Sequence, residues 1–274
     1  MIPQRITTLA AYVEELASIG STTFTREDAM EALGVSHGAF LDSAARLKKR
    51  GHVFAPRRGF YVITPTRYLK WGAPPPSWYI DAMMKDAGQP YYIALLKAAE
   101  LHGATHQAVM EFQIVTDRQW KPIRAGRSRL AFHFRRDMEG VEDAVERRKT
   151  DTGSMRISSP ALTALDLMRY PQASGGISHA ASVLHELSVQ IDPAQLDSLA
   201  PKFERSVIQR LGYLLDFLGQ EEISACLAKR LHNVAAQWVE LEPREAKTTT
   251  FSEERKRSSR WNVIVRRPIE LDEQ

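Results

Sequence analysis

A chain of 274 residues, 43% hydrophobic and 26% charged, is large enough to bury its cores without metal or disulfide staples, and its length favours two domains over one. The net charge of +4 is too small to identify a partner until its distribution is known, and a single cysteine, Cys226, excludes an internal disulfide. No apolar run approaches the roughly 18 residues of a membrane span, and the opening MIPQRITTLAAYVEELASIG lacks a signal-peptide core, so a cytoplasmic protein is expected.

Ile6, Leu9, Ala10, Val13, Leu16 and Ala17 recur at helical spacing and predict an opening amphipathic helix closed by Gly20; Ser21 to Phe24 reads as a short strand. The stretch from Thr25 to Arg50, TREDAMEALGVSHGAFLDSAARLKKR, then predicts two helices joined by a tight corner. Thr25 caps the first, with Asp28 completing a capping box. Gly34 supplies a left-handed C-terminal cap, Val35 plugs the corner and Ser36 caps the second helix. Phe40, Ala44 and Leu47, with Leu41 beside them, form its apolar face.

His52 to Phe54 reads as a strand, 55–59 as a turn and Phe60 to Ile63 as a returning strand, which makes the unit a winged helix-turn-helix. From Arg46 to Lys70 the charged side chains are Arg46, Lys48, Lys49, Arg50, Arg57, Arg58, Arg67 and Lys70, with no Asp or Glu among them. Residues 1–70 hold ten Lys or Arg against six acids, a net of +4 equal to that of the whole chain. One sign of charge beside a helix-turn-helix is the footprint expected for nucleic-acid phosphate.

Ser36, His37, Gly38 and Ala39, and one turn later Asp42, Ser43 and Arg46, are the positions that would meet base edges in a major groove, with Phe40 excluded as core. Arg46 can contact guanine or clamp a phosphate; His37 suits base contact or plain surface exposure. Lys48, Lys49 and Arg50 at the far end of the helix suit phosphate, and Arg57 and Arg58 at the wing tip suit phosphate or the minor groove.

Residues 71–78, with Pro74, Pro75 and Pro76, predict a stiff extended linker rather than a PxxP ligand, giving domains of 1–70 and 79–274. Beyond it, 78–87 and 91–101 read as helices, 109–115 and 130–134 as strands, and 117–129 as a connecting loop. That loop carries Arg118, Lys121, Arg124, Arg127 and Arg129, a second basic cluster that suits either nucleic acid or solvent. The segment 141–150 fits helix or strand, and 155–157 reads as a strand. Ser159-Pro160 starts a helix-rich remainder: 161–169, a helix behind Ser178, a short one from Asp192-Pro193, a long one ending at Gly219, and a last one from Ile223 to Trp238. A polar tail, 244–260, reads as a loop before a strand at 261–265. The fold class expected is α+β, a winged helix-turn-helix followed by a larger mixed domain that becomes helix-rich.

No HxxxH or Cys-rich metal spacing, Walker loop, dinucleotide fingerprint or GxSxG elbow is present, so no catalytic residue, cofactor or metal is assigned. Glu245-Ala-Lys247 is an acidic-x-lysine pair of nuclease type, and it lacks a convincing partner aspartate.

In order, LGVSHGAFLDSAARLKKRG, a wing ending GFYVITP, IVTDR at 114–118, ISSPALTALDLMRYP at 157–171 with Gly175-Gly176-Ile177 behind it, and RWNVIV at 260–265 resemble the AbiEi antitoxin family. The resemblance covers about residues 5 to 265. It implies a two-domain protein whose winged helix binds double-stranded DNA at inverted repeats in its own promoter and represses the operon. It also implies a C-terminal domain that opposes a nucleotidyltransferase-like toxin in a type IV system, with no stable toxin complex. A transcriptional regulator whose C-terminal domain senses a ligand or partner is the alternative.

Overall fold

The computed structural model describes residues 6–105, 109–231, 237–242 and 256–271. In chain order the elements are α1 (Leu9–Ser18), β1 (Thr23–Thr25), α2 (Arg26–Leu33), α3 (His37–Lys49), β2 (Val53–Arg57), β3 (Phe60–Ile63), α4 (Ile80–Asp86), β4 (Tyr91–Ile93), α5 (Leu95–Leu101), β5 (Glu111–Thr116), β6 (Ile123–Ala125), β7 (Ser128–Phe134), β8 (Val145–Thr150) and β9 (Gly153–Ser158). They continue with α6 (Pro160–Arg169), α7 (Ile177–Ser188), α8 (Pro193–Leu199), α9 (Arg205–Phe217), α10 (Glu221–Leu231), β10 (Val239–Glu240), β11 (Lys256–Ser258) and β12 (Val263–Val265). The architecture is mixed α+β: a winged helix-turn-helix, a larger mixed sheet, then a helix-rich part. The mixed sheet has the order β6-β7-β5-β4-β9-β8, with β5 and β7 parallel and β6 and β7 antiparallel.

The chain divides into two compact units: Met1–Tyr91, Met110–Arg136 and Arg147–Arg156 in one, and Tyr92–Val109, Asp137–Glu146 and Ile157–Gln274 in the other. In the first, α1, α2 and α3 close on a three-stranded sheet ordered β1-β3-β2, around Leu9, Val13, Phe24, Ala29, Phe40, Ala44, Leu47, Val53, Tyr61 and Ile63. The segment 71–78 lies inside this unit. Pro76–Trp78 forms a short 3-10 turn, Pro76 and Trp78 are buried, and the indole Nε1 of Trp78 donates to Asp151 at 3.2 Å. Thr22 and Thr152 both donate to the Trp78 carbonyl, at 3.4 and 3.1 Å.

The second unit centres on α6, where every side chain from Ala161 to Met168 is buried, Asp166 among them, held by a 2.9 Å bond from the Tyr92 hydroxyl. Ser159 caps this helix and Pro160 occupies its first turn, as their sequence predicts. A small sheet, β10-β12-β11, is tied to α9 by Gln209, whose amide donates to the carbonyls of Gln237, Trp261 and Asn262 at 2.9, 3.0 and 3.3 Å. Cys226 lies half-buried in α10, and burial pushes its thiol pKa up, which suppresses thiolate chemistry.

Several expectations differ from the structure. Strand β2 runs on to Arg57, into the turn expected over 55–59, and β12 starts at Val263 rather than Trp261. Tyr91–Ile93 is a strand, not the start of a helix, because two tyrosines and a β-branched residue after Pro90 favour extended backbone; the helix begins at Leu95. The basic segment 117–129 is not all loop: Ile123–Ala125 pairs antiparallel with β7. Helix α10 reaches Leu231, and Trp238 stands just before β10 rather than on a helical face. Lys256–Ser258, expected in a loop, pairs with β12. The Glu245-Ala-Lys247 pair and Val234 lie outside the described residues.

Candidate nucleic-acid interface

The capping residues set the geometry of the helix-turn-helix. Thr25 accepts from the Asp28 amide at 3.1 Å while Asp28 accepts from the Thr25 amide at 3.4 Å, a reciprocal box that starts α2. Gly34 adopts φ +61°, the left-handed cap that a residue without Cβ takes at least cost, and turns the chain into Ser36, whose hydroxyl accepts from Ala39 at 3.4 Å. Replacing Thr25 with Ala removes one side of the box and is expected to lower stability by about 1 kcal/mol, measured by denaturant unfolding.

One face of α3 is buried through Phe40, Ala44 and Leu47. Ser36, His37, Gly38 and Ala39 at its N-terminal end, and Asp42, Arg46, Lys48, Lys49 and Arg50 beyond them, are all exposed, with Ser43 half-buried. Leu41, expected beside the apolar face, is 44% exposed and sits at its border.

Arg46 does not wave freely: its Nη2 donates to Ser43 Oγ at 3.0 Å, one turn back on the same face, which fixes the guanidinium while leaving most of its donors outward. At the other end of the face, Arg26 Nη1 lies 3.3 Å from His37 Nε2. Because arginine has no acceptor, Arg26 is the donor and His37 Nε2 the acceptor in that contact. Arg26 also contacts Glu27 at 2.5 Å and holds that carboxyl below its usual pKa range, and its backbone amide donates to Gly59 of the wing tip at 2.8 Å.

Sequence reasoning missed Arg26 as a member of this site. A signal was present: a cation at the first position of α2 opposes the helix dipole, so its placement calls for another purpose.

The wing is the hairpin β2–β3, antiparallel, with a register shift between Phe54 and Arg57 at Ala55-Pro56 and a tight turn at Arg58-Gly59. Its two arginines differ. Arg57 Nη1 pairs with Asp86 Oδ2 of α4 at 2.7 Å, so its charge is already met within the fold, whereas Arg58 is exposed and makes no ion pair among the described residues. Lys48, Lys49 and Arg50 likewise reach solvent. Arg67 instead lies over the rings of Tyr68 and Trp78, 5.0 and 4.8 Å from their centroids.

Among the described residues no three His, Cys, Asp or Glu side chains gather as a metal site, and no helix is long and apolar enough to cross a membrane. The arrangement is a polar helix face flanked by fixed cations, suited to hydrogen bonds with base edges and charge-assisted bonds with phosphates.

A family model described as "Transcriptional regulator, AbiEi antitoxin" matches residues 12–64, and another described as "AbiEi antitoxin C-terminal domain" matches residues 92–217. Among solved structures the chain is similar to the RV2827C protein from Mycobacterium tuberculosis, with a TM-score of 0.66 over 96% of this chain and 93% of that one; at 16% identity the likeness is one of fold. Comparison with the curated proteins returns no match. Two domain models in the expected order, on a chain that has the winged helix and the helix-rich part where they fall, place this protein in the AbiEi antitoxin family, with an N-terminal transcriptional-regulator domain and a C-terminal AbiEi domain.

Proposed function

We propose that the protein is a cytoplasmic, non-enzymatic autorepressor that binds inverted repeats in its own promoter and serves as the antitoxin of a type IV pair. The opposing toxin is a nucleotidyltransferase, antagonised without a stable complex. Residues 1–70 hold the recognition helix and wing, and the larger remainder, 79–274, carries the antitoxin activity. The observation that supports this reading most is α3: its caps, its buried Phe40, Ala44 and Leu47, and its exposed face from Ser36 to Arg50 are those of a recognition helix, in the domain that matches a transcriptional regulator.

Ser36, His37, Gly38, Ala39, Ser43 and Arg46 face base edges in this reading. Arg26, Lys48, Lys49, Arg50, Arg57 and Arg58 hold phosphates, with Arg58 the freer of the two wing cations. The test is binding to a duplex carrying the upstream region of its own gene, followed by anisotropy from low to moderate salt. Arg46→Ala is expected to cost about 1–3 kcal/mol, selectively on the cognate duplex if it reads guanine and equally on all duplexes if it clamps phosphate. Arg58→Ala is expected to reduce the slope of log affinity against log salt by about 0.9. No binding at low ionic strength would overturn the repressor role. The antitoxin role is tested by coexpression with the product of the neighbouring reading frame: growth restored by the full chain supports it, and growth arrest unrelieved at matched expression overturns it.

A further inference from the structure

The first unit contains a basic element that the helix-turn-helix does not account for. From Arg118 to Arg136 the sequence has seven Lys or Arg and no Asp or Glu, an acid-free run like that from Arg46 to Lys70. The two compact units divide the charge unevenly: the first holds 22 Lys or Arg against 11 Asp or Glu, a net of +11, and the second 15 against 22, a net of −7. Within the first, residues 1–91 have eleven cations against eight acids, whereas 110–136 have seven against two. Most of the excess therefore lies outside the winged helix proper.

This charge is carried on a placed structure. β6 and β7 form a hairpin whose turn is docked on the segment following the wing: at Gly126, φ +59°, a Cβ would stand 2.0 Å from the Trp71 carbonyl oxygen and 2.9 Å from the Ala73 amide nitrogen. Arg127 lies 5.2 Å from the centroid of the Trp71 ring, and β6, the edge strand of its sheet, packs beside β2, the edge strand of the wing sheet. Arg124 stands directly opposite Arg129 in the antiparallel register, an unfavourable pairing of like charges. Glu111 meets the Arg129 charge; nothing among the described residues meets that of Arg124. Arg118 and Lys121 are also exposed and make no hydrogen bond or ion pair there.

We propose that this hairpin and the segment leading into it form a second phosphate-binding element, in which Arg118 and Lys121 before β6 and Arg124 on it grip the backbone of double-stranded DNA beyond the wing and lengthen the footprint past that of the winged helix. The proposal rests on the DNA-binding reading above. A basic edge strand also discourages edge-to-edge aggregation, and that role alone predicts no effect on DNA.

The experiment compares full-length wild type with the triple variant Arg118→Gln, Lys121→Gln, Arg124→Gln on two duplexes. One carries the whole upstream region; the other is trimmed on the wing flank to the helix-turn-helix footprint. On the long duplex the variant's salt slope is expected to fall by about 0.9 for each phosphate no longer neutralised, with weaker binding. On the short duplex the two proteins should agree. Equal slopes on the long duplex, or the same reduction on both, overturn the proposal, the latter because it reflects only the general field. Wild type that binds neither duplex at low salt overturns the DNA-binding reading itself. Since the three side chains are exposed, an unchanged unfolding midpoint is expected alongside.

Discussion

Phe40→Ala is expected to destabilise the winged helix by about 3–5 kcal/mol and to abolish binding to the upstream duplex, although Phe40 touches no DNA in the proposed complex. The side chain is 1% exposed and meets Tyr61 edge to face at 5.4 Å; Tyr61 in turn stacks on Phe24 at 5.2 Å, and Phe24 meets Tyr12 edge-on at 5.8 Å. Four rings thus link α3 to β3, β1 and α1. Truncating the first leaves a void that neighbouring aromatic rings cannot collapse to fill, and α3 loses the seat that presents its polar face. Denaturant unfolding and anisotropy check this together. The control is Arg46→Ala on the same helix, whose exposed side chain should leave stability within about 0.5 kcal/mol of wild type. A Phe40→Ala protein that unfolds like wild type would show that the apolar face does not anchor the helix.

The second large effect is expected in the other unit. Trp261 is 1% exposed and lies so close to α9 that a Cβ at Gly212 would stand 2.1 Å from its ring atom Cζ3. Its indole Nε1 donates to Asp216 Oδ2 at 2.6 Å, and Gln209 donates to its carbonyl at 3.0 Å. Trp261→Ala removes both the apolar filling and a donor to Asp216, for a cost of about 3–5 kcal/mol. Gly212→Val tests the same packing from the facing side: added methyl groups would displace the ring, and overpacking of this kind costs about 1–3 kcal/mol or more. Each should lower the thermal midpoint and, under the proposed function, weaken rescue from the toxin. If Gly212→Val melts at the wild-type temperature, the ring is not seated against that helix.

Where the controlling interactions span only a few residues, the sequence was sufficient. The Thr25–Asp28 box, the left-handed Gly34, the Ser36 cap and the Ser159-Pro160 start act within one helical turn, so their residue types alone located α2, α3 and α6. The face of α3 follows for the same reason, since helical periodicity ties Phe40, Ala44 and Leu47 to one side and leaves Asp42, Arg46 and Lys49 on the other. The acid-free run from Arg46 to Lys70 marked the region as basic, and the order of parts carried the family resemblance.

Pairing between distant segments was decided only by the tertiary structure, because it depends on which surfaces meet. Tyr91–Ile93 fits helix or strand locally and became a strand within the mixed sheet. Three prolines signalled an extended segment, and the backbone at Pro75 is extended, yet Trp78 beside it is buried and bonded to Asp151, so the segment packs into the first unit. Arg57 and Arg58 are equivalent as letters; only the fold brings Asp86 to one and leaves the other to solvent. The basic stretch 118–129, read as a loop, acquires a position beside the wing because β6 packs along β2 and Gly126 admits the Trp71 carbonyl. Composition determined how much positive charge the chain carries; long-range packing decided that it gathers in the unit that holds the recognition helix.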